Sequence, residues 1–243
     1  VRVAALADIH GNADALAAVI ADLKFQSPDL TVNLGDCLSG PLDWDRAFDL
    51  MAGQDWLTVR GNHDRWLTAP PDPVGPWEEA ILPRLTPAHR EWLAALPPTR
   101  TVEGIFLTHA TPGDDLTYWL HSVRPDGTVA PRPLPEVEAL AANRPESLLL
   151  CGHTHLAHAI RLPDGRLIVN PGSVGCPGYD DDHPFPHIVA AGTPHARYAI
   201  LDRAPHGWSV TQRLVLYDTA RAAALALAAG SAAWAKALTT GYP

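Results

Sequence analysis

The chain has 243 residues, a formal net charge of −9, and 47% hydrophobic and 19% charged side chains, a balance that excludes wholesale disorder. The negative charge also excludes a surface built to coat nucleic acid, because phosphate backbones are bound through Lys and Arg. It leaves a phosphate substrate open, since bound divalent cations invert the local field. No linker-like shift of composition divides the sequence, so a single domain over 1–243 is expected. Cys37, Cys151 and Cys176 are odd in number and lack a C-x-x-C spacing, which fits a reducing, cytoplasmic setting and small buried hydrophobes. Val1–Ala7 is too short for a secretory signal. The alanine-rich stretch Arg221–Leu238, broken by Gly230, Ser231 and Lys236, falls short of a membrane span.

In chain order, Val3–Ala7 is an apolar run that ends in Asp8-Ile9-His10-Gly11-Asn12. A helix follows over Ala13–Leu23, with Leu16, Val19, Ile20 and Leu23 on one face. Asp29–Leu34 reads as the next strand and ends in Gly35-Asp36, before a helix from about Trp44 to Met51. Trp56–Val59 delivers Arg60-Gly61-Asn62-His63-Asp64. Pro76–Leu96 reads as two short helices, with Thr86-Pro87 as cap and first turn. Thr101–Thr108 is a strand ending at His109, and Ser147–Cys151 is a strand ending at Gly152-His153-Thr154-His155. Between these two strands, Asp114–His121 and Leu134–Ala142 read as helical pieces of a cap. Beyond His155 two hairpins are expected, Ala157–Leu162 with Arg166–Val169 and Arg197–Leu201 with Trp208–Leu216, and then one or two helices from Thr219.

Five apolar strands thus end in metal-ligand residue types, and in open α/β sheets ligands gather beyond the carboxyl ends of the strands. Asp8 and His10 stand two apart and can point the same way while Ile9 turns into the core, as can His153 and His155. Asp36 is the carboxylate expected to bridge two cations held roughly 3.5 to 4 Å apart. Carboxylate, imidazole and amide donors without thiolate suit Mn, Fe, Zn or Co. Two such ions acidify a bridging water from about 15.7 towards about 7, and the resulting hydroxide is the expected nucleophile at phosphorus. His63 is the expected general acid, worth about a hundred- to ten-thousand-fold, and Asp64 the carboxylate expected to orient it.

The order D-x-H, G-D, G-N-H-D, H and G-H-x-H resembles the calcineurin-like metallophosphoesterase superfamily. Val169–Gly175 and Leu216-Tyr217-Asp218 are similar to its small bacterial and archaeal branch. The resemblance implies a mixed α/β fold: a four-layer α/β/β/α sandwich of two mixed β-sheets, here with helical cap insertions over about 65–100 and 113–143. It implies two divalent ions, manganese first among the choices. The first ion would be held by Asp8, His10, Asp36 and His155, and the second by Asp36, Asn62, His109 and His153. The implied activity is a phosphodiesterase or phosphatase on a small phosphate ester or nucleotide. Alternatives on the same fold are a serine/threonine-type protein phosphatase, a dinucleoside polyphosphate hydrolase and a non-catalytic protein-interaction scaffold. Cys37–Pro41 stands where the serine/threonine phosphatases carry an arginine, and Cys176-Pro177-Gly178-Tyr179 replaces a basic residue common in the small branch.

Asn12, Arg60 and Arg65 are candidate substrate contacts by their position beside the motifs. Trp66, Trp77, Trp92, Tyr118 and Trp119 are assigned mainly to the core of the cap, with nucleobase stacking as the alternative role. Asp180-Asp181-Asp182-His183 is expected to be a solvated loop, and His158, His187, His195 and His206 receive no role.

Overall fold

The computed structural model describes residues 1–141 and 143–243. The first part alternates strand and helix: β1 (Arg2–Leu6), α1 (Ala13–Gln26), β2 (Leu30–Asn33), α2 (Trp44–Ala52), β3 (Leu57–Thr58) and a short α3 (Asn62–Trp66). The two helices expected between Pro76 and Leu96 are α4 (Pro76–Ile81) and α5 (Pro87–Ala95). Thr86 caps α5 by accepting from His89 N at 3.3 Å.

The expected strand Thr101–Thr108 is instead a hairpin, β4 (Thr99–Val102) and β5 (Ile105–Thr108). Glu103 and Gly104 turn through the left-handed region at φ 49° and 77° and reverse the chain. Asp114–His121 forms no helix: the Asp114 carboxylate accepts from Leu116 N and Thr117 N at 2.8 and 2.6 Å, closing a turn. A second hairpin, β6 (His121–Val123) and β7 (Val129–Pro131), precedes α6 (Leu134–Leu140). Ala142, the last residue of the predicted helical piece there, lies outside the described residues. The chain continues through β8 (Leu148–Leu150), β9 (His158–Arg161), β10 (Leu167–Asn170), β11 (Gly178–Asp181), β12 (His187–Ala190), β13 (Ala196–Ala204) and β14 (Gly207–Val215). It closes with α7 (Ala220–Ala228) and α8 (Ala232–Thr240). Asp180 and Asp181 thus belong to a strand, not a loop.

Two five-stranded mixed sheets result, ordered β14-β13-β1-β2-β3 and β4-β5-β8-β10-β9. Side chains alternate across β1 with period two. Val3 and Ala5 meet Val32, Ile105, Leu107, Leu148 and Leu150 in the layer between the sheets. Ala4 and Leu6 point the other way, onto Leu16, Val19 and Leu23 of α1. On the far face of the second sheet, Phe106, Leu149 and Ile168 pack against Trp119 and Val137. The layers are therefore helix, sheet, sheet, helix, as expected. The carboxyl ends of the parallel strands β1, β2, β3, β5 and β8 open at one rim of both sheets. Among the described residues no helix is long and apolar enough to cross a membrane.

Candidate functional site

The loops at that rim are held by backbone, not by chance of side-chain placement. Asp8 N donates to Gly35 O at 3.0 Å and His10 N to Asp36 O at 2.9 Å, which locks the ends of β1 and β2 together. Asp8, His10, Asp36, His153 and His155 all adopt positive φ, between 49° and 69°. For a residue with a Cβ this left-handed conformation costs roughly 1 to 3 kcal/mol each, and such residues concentrate at functional sites. Two close approaches require glycine: a Cβ on Gly61 would collide with the Asp36 carboxylate, and one on Gly152 would lie 2.9 Å from Asp8 Oδ2.

Three buried imidazoles and the half-buried His153 each have one nitrogen tied to a backbone carbonyl. Nδ1 of His10 donates to Ser39 O at 2.8 Å, of His155 to Cys176 O at 2.7 Å and of His109 to Leu34 O at 2.8 Å. His153 uses Nε2 instead, donating to Leu116 O at 2.9 Å. The remaining nitrogens converge in pairs: His10 Nε2 is 3.2 Å from His155 Nε2, and His109 Nε2 is 3.2 Å from His153 Nδ1. Asp8 Oδ1 joins the first pair, 3.5 Å from His155 Nε2, and Asn62 Oδ1 the second, 3.0 Å from His109 Nε2. Asp36 stands between them. Its Oδ2 is 3.8 Å from His10 Nε2 and 3.2 Å from His109 Nε2, while His63 N donates to its Oδ1 at 2.9 Å. All seven predicted ligand residues are thus brought together.

Ligand atoms bound at about 2.1 Å to a common ion lie about 3.0 to 3.4 Å apart in octahedral or tetrahedral geometry. The separations within each pair have that size, and imidazoles tied through their other nitrogen to a carbonyl are the usual state of metal-bound histidine. The donor set therefore fits divalent metal. Three overlapping groups of potential ligands, Asp8/His10/His155, His10/Asp36/His63 and Asp36/His109/His153, have their donor atoms within 4.8 Å of one another.

The charges divide evenly between the two pairs. Burial lowers the His109 pKa, but Asp36 and Asp8 outweigh it and hold the group at about 9. Burial likewise opposes the His155 charge, and Asp8 overcomes it and raises that group well above its ordinary value. His10 and His153 are pushed down to about 4, each by burial and then by the imidazolium beside it. In protein stripped of metal, each pair at neutral pH holds one imidazolium and one neutral imidazole. Metal must displace those protons. Loading should therefore release protons near pH 7, from His109 and His155, and affinity should rise with pH through about 9, the pKa of His109, for as long as His155 holds its proton. Calorimetry of Mn binding in two buffers of different ionisation enthalpy measures the count, and release of none would contradict this arrangement.

His63 departs from the sequence expectation in its partner. Asp64 does not orient it: the Asp64 carboxylate accepts from Asp36 N, Cys37 N and Gly61 N at 2.8, 2.9 and 2.9 Å and so ties the loops after β2 and β3 together. The carboxylate on His63 Nδ1 is Glu78 of α4, at 2.6 Å. Glu78 is only 1% exposed. Burial opposes the His63 charge, yet Asp36 and Glu78 together hold its pKa above the ordinary value. Glu78 in turn is lowered, the His63 charge overcoming the cost of burial. Fifteen residues separate the two in sequence, and no motif links them, so only the docking of α4 reveals the pair.

A cavity of about 960 Å³ opens over these groups, lined by His10, Asp36, Asn62, His63, His153 and His155 at its floor. Among the described residues, none of the three candidate substrate contacts lines it. Asn12 caps α1 by accepting from Ala15 N and donates to Gly175 O and Tyr217 Oη. Arg65 forks onto Asp115 at 2.7 and 2.8 Å, and the buried Arg60 Nε has no partner among the described residues. Trp92 and Trp119 pack against the outer faces of the two sheets' core clusters, whereas Trp66, Trp77 and Tyr118 line the cavity. Trp234 of α8, Asp180 and Asp181 line it too, without any signal in the sequence. Cys37 and Cys151 are buried, with thiols pushed up by burial, as small hydrophobes should be.

A two-sheet sandwich carrying a carboxylate and imidazole cluster at its strand ends defines the class of protein. The model of the calcineurin-like phosphoesterase superfamily domain matches residues 1–191, and the chain belongs to that superfamily, whose members depend on metal. Its fold is similar to the solved structure of a metallophosphoesterase from Sphaerobacter thermophilus, at 22% identity and a TM-score of 0.75, covering 99% of this chain and 100% of that one. It is also similar to a putative diadenosine tetraphosphatase, at 16% identity and a TM-score of 0.54, covering 88% of this chain and 94% of that one. Yfce, a phosphoesterase from E. coli, covers 89% of this chain and 100% of its own at 20% identity, with a TM-score of 0.46. No curated protein matches the chain at a significant level.

Proposed function

We propose that the protein is a dinuclear-metal hydrolase of phosphate mono- or diesters. Asp8, His10, Asp36 and His155 would hold one ion, and Asp36, Asn62, His109 and His153 the other, with manganese favoured and Fe, Zn or Co compatible with the same donors. The observation that carries this reading is the convergence of four carbonyl-anchored imidazoles in two pairs on either side of Asp36 Oδ2. When bound, the ions supply Lewis acidity to the phosphoryl oxygens and lower the pKa of a coordinated water. The rest falls to the chain. Asp36 Oδ2 faces both halves, and the His63 backbone amide fixes the other oxygen so that the carboxylate cannot swing. His63, whose Nδ1–H is held by the Glu78 carboxylate at 2.6 Å, would give its Nε2 proton to the departing alkoxide. Glu78 accepts the Nδ1 proton and so fixes which nitrogen faces the substrate. Asp64 serves as the anchor of the loops that carry Asp36 and Asn62.

The test is hydrolysis of nitrophenyl and bis-nitrophenyl phosphate after stripping the protein and reloading it with Mn, Fe, Zn or Co. Turnover is expected only with metal and is expected to vanish in Asn62→Ala. The ratio of the two rates separates monoester from diester preference. Absence of turnover with every metal, in protein shown to bind them, would sink the reading.

A further inference from the structure

The walls of the cavity carry information about the substrate that its metal-ligand floor does not. On the His63 side they are aromatic. The Trp66 ring meets His63 edge to face at 4.6 Å, Trp234 lies 6.0 Å from His10, and Trp77 stands at 77° to Trp234 with ring centres 6.2 Å apart. Trp77 and Trp234 form a right-angled corner that is half-exposed to the cavity. A planar ring stacked on one of them presents its edge to the other, the geometry aromatic quadrupoles prefer. The corner meets the floor at His10, whose ring centre lies 5.2 Å from that of His63, the imidazole that would protonate the leaving group. It is built by α4 and α8, and Trp234 lies beyond residue 191, where the family match ends.

The remaining walls are hostile to anions. Arg132 is the one Lys or Arg among the described residues lining the cavity. Its guanidinium is committed, with Nε and Nη2 on Tyr118 O at 3.2 and 2.9 Å and Nη1 on Glu136 at 3.0 Å. Asp180 and Asp181 line the mouth. A second phosphate, carrying about −1.5 to −2 charge, would find the Asp180 and Asp181 carboxylates beside the His183 imidazole there and, among the described residues, no Lys or Arg without a partner.

Resting on the phosphoesterase reading, we propose that the Trp77–Trp234 corner is the leaving-group pocket, and that the substrate is an ester of a single phosphate with a planar, uncharged aromatic group. A nucleoside and a phenol both supply such a ring, so the probes distinguish them. Non-hydrolysable ligands titrated calorimetrically into dialysed, metal-loaded protein give affinities independent of turnover. Phenylphosphonate should bind about tenfold or more tightly than propylphosphonate of the same charge. If the ring is a nucleoside's, the methylenephosphonate analogue of adenosine monophosphate should bind tighter still, and α,β-methylene adenosine diphosphate more weakly than that analogue. If it is a phenol's, phenylphosphonate should lead.

Trp234→Ala should reduce the phenyl-over-propyl preference by about tenfold, with Trp234→Phe restoring most of it. Trp77→Ala probes the other wall independently should Trp234→Ala not fold. Equal binding of phenyl and propyl ligands, a preference unchanged in a folded corner variant, or tighter binding of the two-phosphorus ligand would overturn the proposal. If any of these appears while nitrophenyl esters are still hydrolysed, this inference fails alone. An intact phenyl preference without turnover would instead fail the phosphoesterase reading.

Discussion

Asp36→Ala is expected to purify with neither ion and to lose metal-dependent turnover by about a thousandfold or more, the scale of the several kcal/mol that a metal contributes to transition-state charge. The reason is geometric. One oxygen, Oδ2, faces His10 on one side and His109 on the other, so its loss removes a donor from both halves and the one anion common to them. Asp8→Ala, by contrast, removes a donor from the first half and should spare the second ion. Elemental analysis of the two variants after identical reloading makes the comparison, and one ion at full occupancy in Asp36→Ala would refute the bridge.

His63→Ala should lower kcat on alkyl phosphate esters by about a hundred- to ten-thousand-fold, the range of general-acid help. Nitrophenyl esters, whose leaving group departs as a stable anion, should lose less than about tenfold. Glu78→Gln should reproduce part of the alkyl-ester defect, about ten- to a hundred-fold, because the imidazole loses the carboxylate that fixes its tautomer and sustains its charge. Equal losses on both ester types would remove His63 from the proton-donor role. An alkyl-ester rate unchanged by Glu78→Gln would leave the ion pair as cap docking alone.

The floor of the site was legible because apolar runs terminate in polar clusters at Asp8, Asp36, Asn62, His109 and His153, and strand ends on one rim must share a space. The two-sheet core was legible from the same runs. What escaped depends on chain pairs that no local pattern connects. Asp64 stands next to His63 in sequence, yet the helical turn of α3 sends its carboxylate back to three amides, and the orienting role passes to Glu78 on another helix. Asp114–His121 has residues a helix tolerates, but the Asp114 side chain satisfies the amides of the next turn first. Trp234 sits in an alanine-rich helix that reads as plain packing, and only the docking of α8 beside Gly40 and His10 turns it towards the cavity. Likewise Asp180 and Asp181 depart from the expected loop because they pair with Ile188 and His187 across a hairpin, while Asp182 and His183 lie exposed in its turn.

The left-handed backbone at Asp8, His10, Asp36, His153 and His155 has a consequence for metal selection. A cage assembled by folding itself, with its imidazoles already anchored on carbonyls, asks little rearrangement of an arriving ion. Such a cage dictates where an ion sits and how many fit, while its mixed oxygen and nitrogen donors accept several first-row metals in the order of their intrinsic affinities. If the protein is the metal hydrolase proposed above, its occupant would be decided by the relative abundance of free ions around it, and the same polypeptide would become a different catalyst when that supply changes.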